Sequence, residues 1–382
     1  MKAGEEMKHR FLCLMLIYLL LLSGCGGQKM PNRTLHIAVM VSEKQKAEQY
    51  LKGIELAASE AQQKYKDYDI AYTVYEDFDD YEKGAAVVDT IASDSEITAV
   101  LATDNMDISK LAAHTFETAG KLMIAPYALY DDELTGHNHK MVFSTCFSAA
   151  QIGESARAAA VETEAKRWAV CYADEEFSRQ EARSFTAQKA DDVIIVDTVK
   201  EDVLLYDFAT VTNRWRQLGV EGIALFAYDK EVLDLFISLK SFRPSWKFIG
   251  DYAMDDATYM EASPERMAAF EGVSLVSQFY VEQDDELLDT LLDMLPEDEL
   301  YFDTWMVHGY NNFKMIIDTA VKNETNQPKV IADALRLEGY DGILQTFSFD
   351  ESGQYDNTKI VYDVFLEGEW QAYEQESEVD GR

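Results

Sequence analysis

Leu35-His36-Ile37-Ala38-Val39-Met40-Val41, then Leu51, Ile54, Ala58, Ala61 and Tyr65 at spacings of three and four, then Ile70-Ala71-Tyr72-Thr73-Val74-Tyr75: this succession decides the fold class. The outer pieces are short runs rich in apolar and β-branched residues, as in strands covered by helices on both faces. The middle piece is a single apolar stripe on an α-helix. Strand, helix and strand in that order imply a parallel pair joined by a right-handed crossover.

The same rhythm continues outward. Further strands are expected at 98–103, 121–125, 167–173, 192–198, 222–228, 246–250 and 272–279, and helices at 82–92, 109–119, 149–165, 177–189, 206–218, 231–240, 285–295, 304–321 and 328–337. One sheet of that many strands exceeds an ordinary domain, so the chain should divide. The extended, polar-interrupted stretch Phe143-Ser144-Thr145-Cys146-Phe147-Ser148 replaces a tight strand-to-helix turn and reads as a crossing between lobes. The expected fold is α/β, with two doubly wound parallel-sheet lobes.

Of 382 residues, 70 are acidic and 34 basic, for a formal net charge of −36. Such a chain repels polyphosphates, so no nucleic-acid partner is expected, and no electrostatic attachment to anionic lipid; both depend on Lys and Arg clusters. With 47% apolar residues it can bury two cores of ordinary size. No Cys or His spacing fits a metal site, and there is no Gly-rich phosphate loop, Gly-x-Ser-x-Gly elbow or His-Glu-x-x-His helix. Neither a cofactor nor an enzyme is expected. The polar His137-Asn138-His139 triplet reads as a solvated loop, His308 as a satisfied core histidine, and Asp79-Asp80 as a helix cap.

At the amino end, Lys8, His9 and Arg10 precede an apolar run over 11–22, then Ser23, Gly24 and Cys25. The run is shorter than the ~20 residues that span a bilayer. It reads as a processing segment, and Leu22-Ser23-Gly24-Cys25 resembles the lipobox of bacterial lipoproteins, whose cysteine is alkylated by a diacylglyceryl group and becomes the new amino terminus. Residues 1–24 are thus expected to be a signal peptide, Cys25 the lipidation site and 25–33 a tether, with membrane contact through the lipid anchor only. Two acyl chains anchor stably where one binds marginally. The acidic opening residues point to Met7 as the start. Removal of 1–24 leaves 68 acidic and 31 basic residues, a charge near −37. Cys146 and Cys171 remain for the fold, as buried thiols or as a disulfide. Residues 371–382 are expected to be a disordered acidic tail.

The order of segments resembles the type I periplasmic-binding-protein fold and, within it, the branched-chain amino-acid binding proteins of ABC importers. Four stretches carry the match: Lys52-Gly53-Ile54-Glu55-Leu56-Ala57 on the first helix; 121–126, ending in Ala125-Pro126; 143–151; and Phe347-Ser348-Phe349-Asp350-Glu351-Ser352-Gly353, preceded by Gly309-Tyr310. The resemblance covers 35–370. It implies three hinge crossings, at 143–148, 276–282 and 343–347, with 34–143 plus 281–344 as lobe one and 147–277 plus 347–370 as lobe two. Such lobes close on a ligand like a jaw.

Parallel sheets present ligand contacts at the carboxyl ends of their strands. That rule selects Ser42, Thr103, Asp104, Asn105 and Tyr127 in lobe one and Phe177, Asp251 and Tyr252 in lobe two, while the hinge adds Gln278. The resemblance implies that Thr103, Asp104 or Asn105 and Tyr127 hold a ligand carboxylate and that Asp251 holds its ammonium. The chain departs from the family at Leu129 and at Ser42-Glu43-Lys44-Gln45-Lys46, which leaves an α-amino acid in question. Asp104 and Asp251 on opposing lobes favour a cationic amine, since unpaired carboxylates in a closing cleft are costly; each also reads as a helix cap or solvated loop acid. Tyr127 and Phe177 read equally as ligand walls or core aromatics. The expected protein is an exported monomer, on the outer face of the cytoplasmic membrane or in the periplasm, that captures a small polar solute for an ABC permease. The other reading is a ligand-sensing regulator that signals to a membrane receptor.

Overall fold

The computed structural model describes residues 33–127, 133–134, 137–187, 193–227, 231–277, 281, 286, 289, 292, 295, 304–356 and 359–376. In the first lobe, β1 (Arg33–Val41), β2 (Tyr68–Glu76), β3 (Ile97–Leu101), β4 (Leu122–Ala125) and β5 (Val142–Ser144) form a parallel sheet in the order β2-β1-β3-β4-β5. The period-2 alternation of β1 feeds two cores: Leu35, Ile37, Val39 and Val41 enter one, Ala38 and Met40 the other. Helix α1 (Glu48–Lys64) buries Ile54, Ala57, Ala58 and Ala61, much of the stripe read from sequence. Helix α2 (Tyr81–Ser93) is capped by Asp80, whose side chain accepts from the Lys83 N–H; α3 (Met106–Ala119) is capped by Asn105 and stops at Gly120, φ 71°.

The chain crosses at 145–148. Ser148 and Gln151 close a reciprocal capping box that starts α4 (Ala149–Glu162). The second lobe then alternates β6 (Arg167–Tyr172), α5 (Glu176–Ala187), β7 (Ile194–Lys200), α6 (Glu201–Tyr206), α7 (Phe208–Leu218), β8 (Gly222–Phe226), α8 (Glu231–Phe242), β9 (Lys247–Asp251), α9 (Ala257–Glu261), α10 (Pro264–Phe270) and β10 (Ser274–Val276). The helix expected over 206–218 is divided at Asp207, which is the C-cap of α6 and the N-cap of α7.

Helix α11 (Thr304–Lys322) returns to the first lobe and packs along α1, the most extensive contact between two helices among the described residues. A Cβ on Gly53 would lie 2.0 Å from the Met306 carbonyl oxygen, and one on Gly309 would lie 2.1 Å from that of Tyr50. Gly53 and Gly309 therefore permit backbone-to-backbone approach of two helices. After α12 (Pro328–Glu338) come the short antiparallel β11 (Tyr340–Asp341) and β12 (Thr346–Phe347).

Two expectations from sequence change at this end of the chain. The third crossing was expected at 343–347, but residues 346–354 still belong to the first lobe's side. Ser144 N–H donates to the Gly353 carbonyl at 2.9 Å, and Gly353, at φ 93°, lets this segment approach the Val142 carbonyl where a Cβ would clash at 2.3 Å. The chain joins the second sheet only at β13 (Lys359–Leu366). Residues 371–376, expected in a disordered tail, continue β14 (Glu369–Glu376), which pairs antiparallel with β13. The two-residue turn Glu367-Gly368 has positive φ at both positions, the geometry that matches strand twist, and Tyr373 stacks on Tyr362 at 4.6 Å. The second sheet thus runs β7-β6-β8-β9-β10-β13-β14. Cys146 and Cys171 are buried free thiols.

Candidate functional site

Strand order reverses between β1 and β3 in the first sheet and between β6 and β8 in the second. Crevices form there, beyond the carboxyl ends of the strands. In lobe one, Ser42 follows β1 and Thr103-Asp104 follows β3. The Ser42 N–H donates to Asp104 Oδ1 at 3.0 Å, its hydroxyl to Oδ2 at 2.9 Å, and the Thr103 hydroxyl to Oδ1 at 3.1 Å. Ser42 and Thr103 are buried, whereas Asp104 is exposed. Asn105 does not point to a ligand: its Oδ1 caps α3 and its Nδ2 donates to Asp79 at 2.7 Å. Beneath this group lies Asp77, fully buried, whose Oδ2 has no hydrogen-bond partner. Thr103 has one hydroxyl proton for two carboxylates, and the geometry directs it at Asp104. Burial raises the Asp77 pKa, contacts with Thr103 and the Asp79 N–H oppose the rise, and the charges of Asp104 and Asp79 add to it.

Tyr127, after β4, begins an aromatic wall. It stacks on Trp305 at 4.7 Å and meets Tyr50 at 5.8 Å. Burial pushes the Tyr127 hydroxyl pKa up, and the nearby Asp104 charge pushes it further. The wall continues to the hinge, where Trp305 meets His308 edge-on. His308, fully buried on α11, has Nε2 2.9 Å from the Pro126 carbonyl and 3.2 Å from the Thr145 hydroxyl, with Nδ1 3.3 Å from the Gln345 side chain. Asn311 joins the same group, donating to Gln345 and to the Ile343 carbonyl and accepting from the Ile343 N–H. Burial lowers the His308 pKa to about 4, so the ring is neutral. Cys146 donates its thiol to the Pro126 carbonyl at 2.9 Å.

In lobe two, Asp251 ends β9 with no exposed surface. Its Oδ1 accepts from the Ala253 N–H at 2.9 Å, and its Oδ2 from the Ala227 N–H at 3.2 Å, which ties the ends of β8 and β9 together. The side chain therefore caps the short turn Tyr252–Met254. Burial raises the Asp251 pKa well above the ordinary value, the two N–H donors oppose this, and Glu175 and Glu201 raise it again. Burial raises the Tyr252 pKa well above its ordinary value, and the charges of Asp251, Glu181 and Cys146 add to the rise. Phe177, at the start of α5, is packed into the main core with 1% of its surface exposed. Gln278 and Cys25 lie outside the described residues.

Of the residues selected by the strand-end rule, Ser42, Thr103 and Asp104 thus meet in one cluster, Tyr127 stacks with Trp305 within reach of the Asp104 charge, and Asp251 and Tyr252 lie on the other sheet. It missed Trp305 and Tyr50, which sit on helices and belong to the wall only because Gly53 and Gly309 let α1 and α11 touch. The triplet His137-Asn138-His139 also departs from the solvated loop expected of it. His139 is buried, with Nε2 3.4 Å from Glu133 Oε1 and Nδ1 4.0 Å from Glu117 Oε2. Among the described residues no group of three or more His, Cys, Asp or Glu is arranged to hold a metal ion, and no helix is long and apolar enough to cross a membrane.

Comparison with solved structures finds the same architecture. An ABC transporter substrate-binding protein from Desulfitobacterium hafniense, in complex with Leu, superposes with a TM-score of 0.78 at 20% identity, covering 89% of this chain and 100% of that one. The branched-chain amino acid transporter substrate binding protein of Streptococcus pneumoniae, in complex with isoleucine, gives 0.72 at 15% identity over 90% of this chain and 99% of that one. A solute binding protein of an ABC transporter from R. palustris, in complex with benzoate, gives 0.71 at 15% identity over 89% and 95%. No curated protein sequence matches the chain. The sequence profile of the periplasmic binding protein family matches residues 44–365, within which every described cleft residue but Ser42 lies, and the chain belongs to that family of extracytoplasmic small-molecule-binding proteins.

Proposed function

We propose that the protein captures a small polar, amine-bearing solute between its lobes and delivers it to an ABC permease, without chemical turnover, while lipid on Cys25 holds it at the outer face of the cytoplasmic membrane. One observation carries the reading: each sheet bears an aspartate at or just beyond the end of an inner strand, Asp104 gathering Ser42 and Thr103 and Asp251 gathering two backbone N–H groups, while the crossing between the lobes sets Thr145 against buried His308. In this reading Ser42, Thr103, Asp104 and Tyr127 serve the ligand from lobe one and Asp251 and Tyr252 from lobe two. A ligand touching both walls stabilises the closed jaw by its contacts to each. The leucine and isoleucine complexes of similar proteins support an amino acid or a related amine, and the benzoate complex warns that the fold alone does not name the ligand. A membrane tether would keep the jaw at high effective concentration beside its permease, so modest affinity suffices.

Titration calorimetry of the purified full chain against amino acids, amines, amides and short peptides tests the reading. Saturable one-to-one binding without turnover supports it, and its absence across all four classes overturns it. Cys25→Ser should release the protein from membranes; a variant that stays bound would refute the lipid tether.

A further inference from the structure

The donors around Asp104 narrow the range of solutes that the cleft can accept, an inference that rests on the solute-binding reading. A ligand carboxylate at a strand-end crevice needs N–H and O–H groups near a helix amino terminus, where the dipole also favours an anion. Lobe one has such a place, at the start of α3 beside β1. It is filled by the protein itself: the Ser42 N–H, the Ser42 hydroxyl and the Thr103 hydroxyl all point at the Asp104 carboxylate. Asn105, the next polar side chain, is taken up by the Ile108 N–H and by Asp79. A second carboxylate brought here would find its donors occupied and would face Asp104, Asp79 and the buried, unpartnered Oδ2 of Asp77. The lysines on the adjacent loop make their ion pairs with other acids, Lys44 with Glu76 at 3.4 Å and Lys46 with Glu43 at 2.9 Å, although the charges of Asp79 and Asp104 also act on Lys46.

Among the described residues no cation is hydrogen-bonded or ion-paired to Asp104; Lys46, whose charge reaches Asp104 and Asp79, is paired with Glu43. Asp104 Oδ1 already accepts two hydrogen bonds, but Oδ2 accepts one and keeps a lone pair on an exposed side chain. Tyr127, close enough to feel the Asp104 charge, offers with Trp305 an aromatic surface suited to a cation or its alkyl stem. On the other sheet, Asp251 has the charges of Glu175 and Glu201 near it, and its own oxygens are taken by the Ala227 and Ala253 N–H groups. The acids are not arranged to hold a metal ion. We infer that the cleft takes an organic cation without a carboxylate, an amine or guanidine whose charged group sits on Asp104, because Asp104 occupies the donors a ligand carboxylate would require.

Matched ligand pairs test this on the purified full chain: leucine against isoamylamine, lysine against cadaverine, arginine against agmatine, with isovaleramide as a neutral control. At least one amine should bind tenfold or more tightly than its parent amino acid. Asp104→Asn, which keeps the shape and removes the charge, should weaken that amine by tenfold or more. Asp104→Ala, which frees the Ser42 and Thr103 donors, should reverse the preference toward the amino acid, a gain that misfolding cannot produce. Amino acids binding as well as their amines, or preferential binding of the neutral amide, would overturn the cation assignment and leave solute binding standing. Absence of binding by any member would overturn both.

Discussion

Asp104 and Asp251 occupy comparable places in the two lobes, each at or just beyond the end of an inner strand, yet they differ in the one property that decides what a carboxylate can do. Asp104 is exposed and draws three donors around it; Asp251 has no exposed surface and accepts one backbone N–H on each oxygen. A strand end supplies the opportunity for a ligand contact. Burial then determines whether the acid is a clamp for the backbone or a group left facing the cleft.

The helix layers repeat the contrast on a larger scale, and the largest effects are expected there. In lobe one the α1–α11 contact has a glycine on each helix; in lobe two α4 meets α5 through Gly153, where a Cβ would lie 2.4 Å from the Glu181 carbonyl oxygen. Gly53→Ala should cost about 3 kcal/mol or more in urea unfolding, since the obstacle is main chain that cannot rotate away. Gly153→Ala should cost about 2 kcal/mol, because its nearest obstacle, at 2.4 Å, is less tight than the 2.0 Å at Gly53. Equal and small losses would show that the helices slide apart freely.

Asp251→Ala is expected next in size, with a loss of about 2–3 kcal/mol from two buried N–H groups left without acceptors. Asp104→Ala should cost about 1 kcal/mol or less, because water reaches the vacated donors. Thermal unfolding of the two variants side by side would break the comparison if Asp104→Ala proved the more damaging.

The hinge adds a pH dependence of its own. Neutral His308 has a folded pKa of about 4, below the unfolded value, so the unfolded chain takes up the proton first. Stability due to the neutral ring is therefore full above about pH 6.5 and is lost as pH falls toward 4, by roughly 3 kcal/mol at most. Asp251 acts with the opposite sign, since a raised carboxyl pKa favours the folded state as pH falls. His308→Gln should flatten the decline between pH 6.5 and 4; an unchanged slope would assign it to other groups. The helix caps are comparable to Asp104 in size: Asn105→Ala and Ser148→Ala should each cost about 1 kcal/mol. A larger loss for Asn105→Ala would reveal the added cost of releasing Asp79, its partner at 2.7 Å.

Much of this could be read in the chain before folding. The β1 run, the α1 stripe and their repetition carry local signals, because a strand covered on both faces and a helix covered on one need apolar residues at fixed spacings. The aspartates were found by the same logic, from their places after strands. The hairpin of β13 and β14 was also legible in Glu367-Gly368, but the acidic composition of the last residues obscured it.

The amino-acid sequence by itself determined the α/β class, the division into two parallel-sheet lobes and the candidate residues at strand ends, since each depends on neighbours a few positions apart. Only the tertiary structure decided that Asp251 is buried and Asp104 exposed, that Trp305 joins Tyr127, and that residues 346–354 stay beside β5. Burial and donor supply at those points come from segments far apart in the chain, as when Ser42 meets Asp104 across 62 positions, and no local pattern encodes such a meeting.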